Sequence, residues 1–335
     1  MRYAFVLSSA ILLAQDPKFG VQSRLVMVPV TVTDEKGRSI NDLGVSDFLI
    51  YDNGAVQRGI VDSFTTGVAP VALVIAVQSS GISAPALEKV RKIGAMIQPL
   101  ITGERGCAAL VTFDETVRWR QDCTNHPDAL GRAFQGLQPV EGKRARMLDA
   151  VHQAVQRLGR RPKSRRVLLL ISESRDRGSE TELEASVMAA QGAGVTVYAA
   201  TYSGFRTAFT SKASKNETPQ ESDIPRASRT QPLTHGGRVT VPPPEQRVDL
   251  RELLRLAKTK DTEALTTETG GVTFPFTRLK GLEEAIMRLG DELHGQYVLS
   301  FVPETPLPGY HRLGVRVNRP GKFRVRARPG YWSSR

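Results

Sequence analysis

The sequence predicts an α/β fold, a central and mostly parallel sheet with helices on both faces, inserted in or attached to a β-sandwich formed by strands from both ends of the chain. Three observations lead there. Between Val71 and Thr201, runs of branched apolar residues alternate with segments whose apolar residues recur at helical spacing, the order expected of parallel strands and their crossover helices. Before Val71 and after Tyr297 the apolar residues instead recur at every second position between turn residues, the period of a half-buried strand. With 335 residues, 40% of them hydrophobic, the chain has room for two cores.

Taken in order, MRYAFVLSSAILLAQ places one arginine before an apolar run, which suits an export signal over residues 1–15 cleaved near Ala14 or Gln15; a buried strand or a later start is the alternative. Residues 22–66 read as the first sandwich strands. Val26, Val28, Val30 and Val32 share one face, Asp34 to Gly37 turn the chain, and Phe48 and Ile50 precede a second turn at Asp52-Asn53-Gly54. The α/β region spans 70–295. Its first strand, VALVIAVQ, is apolar throughout and so buried on both faces, and the helix after Ser83 carries Leu87, Val90, Ile93 and Ile97 on one side. The loop between them lies at the carboxy-terminal edge of the sheet.

CAALVTFDETVRWRQDC reads as a hairpin turning at Asp114, Glu115 and Thr116. With Phe113 opposite Val117, continuing the register brings Cys107 opposite Cys123; a disulfide is the expectation after export, and two reduced cysteines the alternative. A helix follows over Met147–Leu158, then a strand over Arg166–Ser172, a helix over Leu183–Gln191 and a strand over Val195–Thr201. Residues 203–246 are rich in Ser, Thr, Pro and basic residues and nearly empty of large aliphatics, and read as a disordered insertion. A helical segment after Val248 stops at Gly270 and Gly271, VTFPF forms a short strand, and Leu282, Ile286, Leu289 and Leu293 mark a core-facing helix. Residues 296–333 complete the sandwich. In the last strand Phe323, Val325 and Ala327 face a core while Arg324, Arg326 and Arg328 make the other face basic.

The strand, loop and helix around VALVIAVQSSGIS, followed by KRARMLDA and VLLLISES, resemble a von Willebrand factor type A (VWA) domain from Val71 to about Phe276. In that family a D-x-S-x-S loop, a threonine from a second loop and a late aspartate hold magnesium in a metal-ion-dependent adhesion site. Those positions fall here on Gln78, Ser80, Ile82, Ala145 and Glu173. The resemblance therefore implies a VWA-like fold with a degenerate metal site, because magnesium requires a tight octahedron of oxygens and an amide, an isoleucine and an alanine do not supply it. A wider similarity, through VPVTVTDEKGRSINDLGVSDFLIYDNG, LEEAIMRLGDELHGQYVLSFVP and RVNRPGKFRVRARPGYW, is to secreted VWA-containing proteins of acidobacteria. It implies a secreted or periplasmic location and little about activity.

The net charge is +12, and part of it brackets one helix: Lys143, Arg144 and Arg146 before it, Arg160, Arg161, Lys163, Arg165 and Arg166 after it. These are a candidate anion-binding patch for a polysaccharide, lipid headgroup or acidic protein, the alternative being an ordinary solvated face. Nucleic acid is not an expected partner, since export removes it and aromatic stacking platforms are missing. No later segment has 18 uninterrupted apolar residues, so no membrane span is expected.

The five histidines show no H-E-x-x-H spacing, and no G-x-S-x-G or phosphate-loop motif occurs. Two chemical alternatives remain: Ser80 as a hydrolase nucleophile, and a calcium cage of Glu173, Asp176, Glu180, Glu182, Glu184 and Asp114 around Ser80. The reading that follows is a non-catalytic, exported interaction or adhesion-type module with no cofactor and no bound metal, whose partner is an unknown protein or anionic envelope component. The alternatives are a magnesium- or calcium-dependent adhesin-type protein and a hydrolase using Ser80.

Overall fold

The structure, a computed structural model, describes residues 25–58, 60–64, 69–82, 84–161, 164–202, 260–276, 279–304 and 307–333. The export signal at 1–15, the insertion at 203–246 and Lys163 lie outside the described residues.

The centre is a six-stranded sheet. Its strands are β5 (Val71–Gln78), β6 (Cys107–Phe113), β7 (Val117–Thr124), β8 (Arg165–Ser172), β9 (Val195–Thr201) and β10 (Thr273–Pro275), in the order β10-β9-β8-β5-β6-β7. All pairings are parallel except β6 with β7, which form the expected hairpin. β5 is buried at every residue because helices cover both faces. Its Leu73, Ile75 and Val77 pack under α1 (Ala84–Ile93), α2 (Pro127–Gln135) and α6 (Leu279–Gly295). Its Ala72, Val74 and Ala76 face α3 (Met147–Gly159), α4 (Leu183–Gly192) and α5 (Asp261–Thr269).

The helices obey their periodicity. Leu87, Val90, Ile93 and Ile97 are fully buried, although the α-helix stops at Ile93 and the chain continues through a 3-10 turn to Met96 and a wider turn at Gln98–Thr102. Leu282, Ile286, Leu289 and Leu293 form the buried stripe of α6. α5 ends on Gly270, whose φ of 83° is left-handed and natural only to glycine. α2 was not anticipated: its nine residues carry only Leu130 and Phe134 as buried large residues, too sparse a period to read.

The remaining strands make two antiparallel sheets. One contains β13 (Arg324–Ala327), β1 (Val26–Thr33), β11 (Tyr297–Phe301) and β4 (Val61–Phe64); the other contains β14 (Gly330–Ser333), β12 (Gly309–Val317), β2 (Phe48–Asp52) and β3 (Ala55–Val56). Val26, Val28, Val30, Val32, Leu299 and Phe301 meet Phe48, Ile50, Leu313 and Tyr331 in a third core. The predicted sandwich of both chain ends is present. β11 departs from simple alternation, for all five residues are buried. Its second face lies against the α/β unit rather than water, where Met27, Pro29 and Val298 adjoin Arg165, Arg166 and Gly194.

That docking corrects the expectation of a basic outer face for Arg326 and Arg328, while Arg324 is exposed as expected. Arg326 donates to Gly270 O at 2.6 Å and pairs with Glu292 at 2.7 Å, and Arg328, 5% exposed, donates to Gln191 O at 3.0 Å. Both side chains point into the junction. Tyr198 extends the network, donating to Glu292 at 2.8 Å and accepting from Gln296 at 3.3 Å.

Cys107 and Cys123 are joined, with Cα atoms 5.3 Å apart. The register that suggested the pair is not the one that makes it. Phe113 does oppose Val117, but irregularities between Ala108 and Val111 shift the ladder until Ala108 faces Thr124, so the cysteines are offset neighbours across the strands. Closing a loop of this length constrains the unfolded chain by about 3 kcal/mol, so the double Cys→Ser variant is expected to lose about that much stability in urea unfolding. Two titratable thiols in the unfolded, unreduced protein would contradict the bond.

Candidate functional site

Parallel strands β5 and β8 end at the same edge of the sheet, and their loops meet the segment leading into α3. All five positions singled out by the VWA resemblance gather here. Gln78 is 1% exposed, and its carboxamide bridges two loops: Nε2 donates to Ser80 O at 2.9 Å and Oε1 accepts from Glu173 N at 3.0 Å. Ser80 is fully buried and its hydroxyl donates to Arg144 O. Ile82 belongs to the core beneath α1, and Ala145 to the core beneath α3. Ala145 also exchanges two backbone hydrogen bonds with Arg177, at 2.8 and 3.0 Å.

Glu173 is held by Arg177, a residue that the sequence reading missed. The guanidinium pairs with Glu173 Oε2, and its Nη2 comes within 3.3 Å of where a Cβ on Gly81 would stand. Gly81 has a φ of 64°, so glycine serves both the left-handed turn and the close approach. The signal for this pair was present in SESRDR, where acid and base stand four residues apart after a strand. Tyr202 lies below. Burial pushes its phenol far above the ordinary range, the charge of Glu173 adds to that, and Arg177 opposes it.

Four of the six acids of the calcium reading, Glu173, Asp176, Glu180 and Asp114, have partners within the chain, Glu180 through Arg146. Asp176 accepts from Leu148 N, Gly178 N, Ser179 N and the Ser179 hydroxyl, so it caps the start of α3 from across the edge. Asp149 reciprocates from α3, accepting from Glu180 N, Thr181 N and the Thr181 hydroxyl. Asp114 takes Ser79, Thr116 and Arg118 as donors. Glu182 is the residue preceding α4 and Glu184 lies in its first turn. Among the described residues no three of His, Cys, Asp and Glu gather as a metal-binding group.

The hydrolase alternative fails on the same geometry, since Ser80 is inaccessible and its proton is committed to a carbonyl. A cleft beside α3, lined by Arg146, Asp149, His152 and Glu180, offers no better nucleophile. The hydroxyls on its wall, Thr116 and Thr181, donate to Asp114 and Asp149, while His152 faces Gln156 at 3.0 Å.

The candidate anion patch is divided. Arg146 immediately precedes α3 and Arg160 immediately follows it, so Lys143, Arg144 and Arg146 stand one helix length, roughly 20 Å, from Arg160 and Arg161. Arg165 and Arg166 are not free cations. Arg165 donates to Leu293 O and to Gln296 at 2.9 Å, and Arg166 donates to Ala193 O and Arg161 O. Burial lowers the pKa of both, as expected when guanidinium leaves water.

No family model matches the chain, and no curated protein matches it. Solved structures do align with it. BatB from Bacteroides thetaiotaomicron is 11% identical, with a TM-score of 0.43, over 66% of this chain and 99% of that one. Proximal thread matrix protein 1 from the mussel byssus, solved with a zinc-occupied MIDAS motif, is 11% identical over 71% of this chain and 48% of its own, with a TM-score of 0.44. The vWF domain of the pilus tip protein Mfa5 from Porphyromonas gingivalis is 19% identical over 32% and 39%, with a TM-score of 0.29. At these identities and scores the likenesses transfer no ligand or activity. Among the described residues no helix is long and apolar enough to cross a membrane.

The carboxylates of this edge imply acid sensitivity. Burial alone would raise Asp114, but hydrogen bonds from Thr116, Arg118 and Ser79 outweigh it, and Asp149 is lowered in the same way by Thr181, Glu180 and Arg146. Both native values lie below the ordinary 3.8, so the stabilisation is complete above that pH and is lost as pH falls through the lowered values. Urea unfolding between about pH 5 and pH 2 is expected to show stability falling with pH, and Asp114→Asn to flatten the fall. A variant whose pH dependence matches that of the parent would contradict the assignment to Asp114.

Proposed function

We propose that this chain is an exported, non-catalytic interaction module that binds a protein or an anionic envelope component through the carboxy-terminal edge of its sheet without a bridging metal. The observation that carries the proposal is the closure of that edge by the protein's own groups. Ile82 and Ala145 have no side-chain donor atoms to offer, Ser80 is turned to a backbone carbonyl, Gln78 to backbone groups and to the Glu173 carboxylate, and Glu173 already has a cation in Arg177. This donor set does not suit magnesium, which takes six oxygens in a near-ideal octahedron, nor calcium, which takes more. What remains is a face made of three stitched loops with exposed Lys143, Arg144 and Arg175 around it. Such a face can contribute shape and charge, and its buried hydroxyl, Ser80, is committed to a carbonyl.

Export to the cell exterior or periplasm agrees with the apolar amino-terminal segment and with the Cys107–Cys123 bond, which persists in an oxidising compartment. The two remaining free arginines of the predicted patch, Arg160 and Arg161, lie at the opposite edge and are not part of the proposed binding face.

Thermal melting tests the reading. The midpoint is expected to be the same with millimolar magnesium, manganese or calcium as with chelator. A rise of several degrees with any of them would refute the metal-free mode, because a site filled a hundredfold above its dissociation constant adds about 2.7 kcal/mol.

A further inference from the structure

Resting on the metal-free reading, we infer that Arg177 is the resident cation of this edge and, together with Arg144, forms a receptor for the carboxylate of an acidic side chain on a protein partner. A guanidinium presents five N–H donors in a rigid fork that matches a carboxylate, and Arg177 makes one ion pair among the described residues, through Nη2 to Glu173. Its side chain is 41% exposed, so it is reachable from solvent while paired. The backbone behind it is fixed by the two hydrogen bonds to Ala145, which leaves little ordering for a ligand to impose.

Two glycines make room for the arginines. Gly81 lies under Nη2, and the stem of exposed Arg144 lies 3.7 Å from where a Cβ on Gly178, the residue after Arg177, would stand. Arg144 makes no ion pair among the described residues. Of the neighbouring acids, Asp114 and Asp149 have arginines of their own in Arg118 and Arg146, and Asp176 accepts four hydrogen bonds from Leu148, Gly178 and Ser179. Exposed Lys143 and Arg175 reinforce the field, opposed by exposed Glu141 and by exposed Glu180, which pairs with Arg146. The result is a preorganised positive notch with hydrogen-bond directionality, which favours a carboxylate over a neutral amide of the same shape.

The test is an amide-resolved NMR titration of the whole chain with two blocked peptides, Ac-Gly-Glu-Gly-NH2 and Ac-Gly-Gln-Gly-NH2, in chelator. The Glu peptide is expected to shift Ser80, Gly81 and Gly178, and the Gln peptide to leave them in place. Arg177→Gln should weaken the Glu response by about tenfold or more, Arg177→Lys should keep part of it, and Arg160→Gln, at the far edge, should leave it intact. Well-dispersed spectra of each variant confirm that it folds. Equal shifts with both peptides, shifts that survive Arg177→Gln, or no shift with or without magnesium would overturn the inference, the last while leaving the metal-free reading standing. Shifts that appear only on adding magnesium would overturn both. Response to an acidic sugar such as glucuronate, with none to the Glu peptide, would assign the notch to polysaccharide and overturn the protein partner.

Discussion

Helix carboxy-termini leave carbonyls without partners, and in this molecule arginines from other elements supply them. Arg328 and Arg166 reach Gln191 O and Ala193 O at the end of α4, Arg326 reaches Gly270 O at the end of α5, and Arg165 reaches Leu293 O at the end of α6. These helix ends collect at one edge because each leads into a strand running the other way, two of them into β9 and β10 of the parallel sheet. A cation there also meets the negative end of each helix dipole, a contribution of about 0.3–1 kcal/mol that grows when water is excluded. Burial still exacts its cost, and desolvation lowers Arg328 to about 10. The contacts of Arg326 and Arg328 seat the sandwich on the α/β unit, since these residues lie in and just after β13 of one and the carbonyls belong to the other.

The opposite edge follows the same rule with the signs exchanged. The start of α3 lies there, and Asp176 and Ser179 satisfy its free N–H groups while Asp149 returns the favour to the loop. Acids that cap a helix start have fewer oxygen lone pairs left for a cation cage. What is left over is positive, in Arg177 and Arg144, on loops that backbone hydrogen bonds hold closed. Arginines thus serve structure at the first edge, in Arg165, Arg166, Arg326 and Arg328, and stand partly exposed at the second, in Arg144 and Arg177.

Much of the architecture was legible because it depends on hydrophobic period alone. The runs at β5, β8 and β9 and the stripes of α3 and α6 fall where the sequence places them, as do the paired strands of both chain ends. The failures share a physical cause. A period of two in Arg324, Arg326 and Arg328 reveals a polar face but cannot distinguish water from a buried carbonyl of α4 or α5. Likewise, the run through Arg165 and Arg166 reads as a surface patch unless the helix ends above it are known. At the candidate site, the identities of Ile82 and Ala145 told what was missing, whereas Arg177, which occupies the position of interest, could be found only from its spacing to Glu173. The register of β6 with β7 failed for a local reason, because bulges leave no reliable mark in composition.

The central claim is that a guanidinium of the chain itself stands at this edge in the role of a bound ion. Crystals grown in millimolar manganese and measured for anomalous scattering test it most directly. The account predicts guanidinium density from Arg177 lying between Glu173 and Gly81, with no anomalous peak among Gln78, Ser80 and Glu173. A manganese peak there, with Arg177 swung away from Glu173, would contradict it.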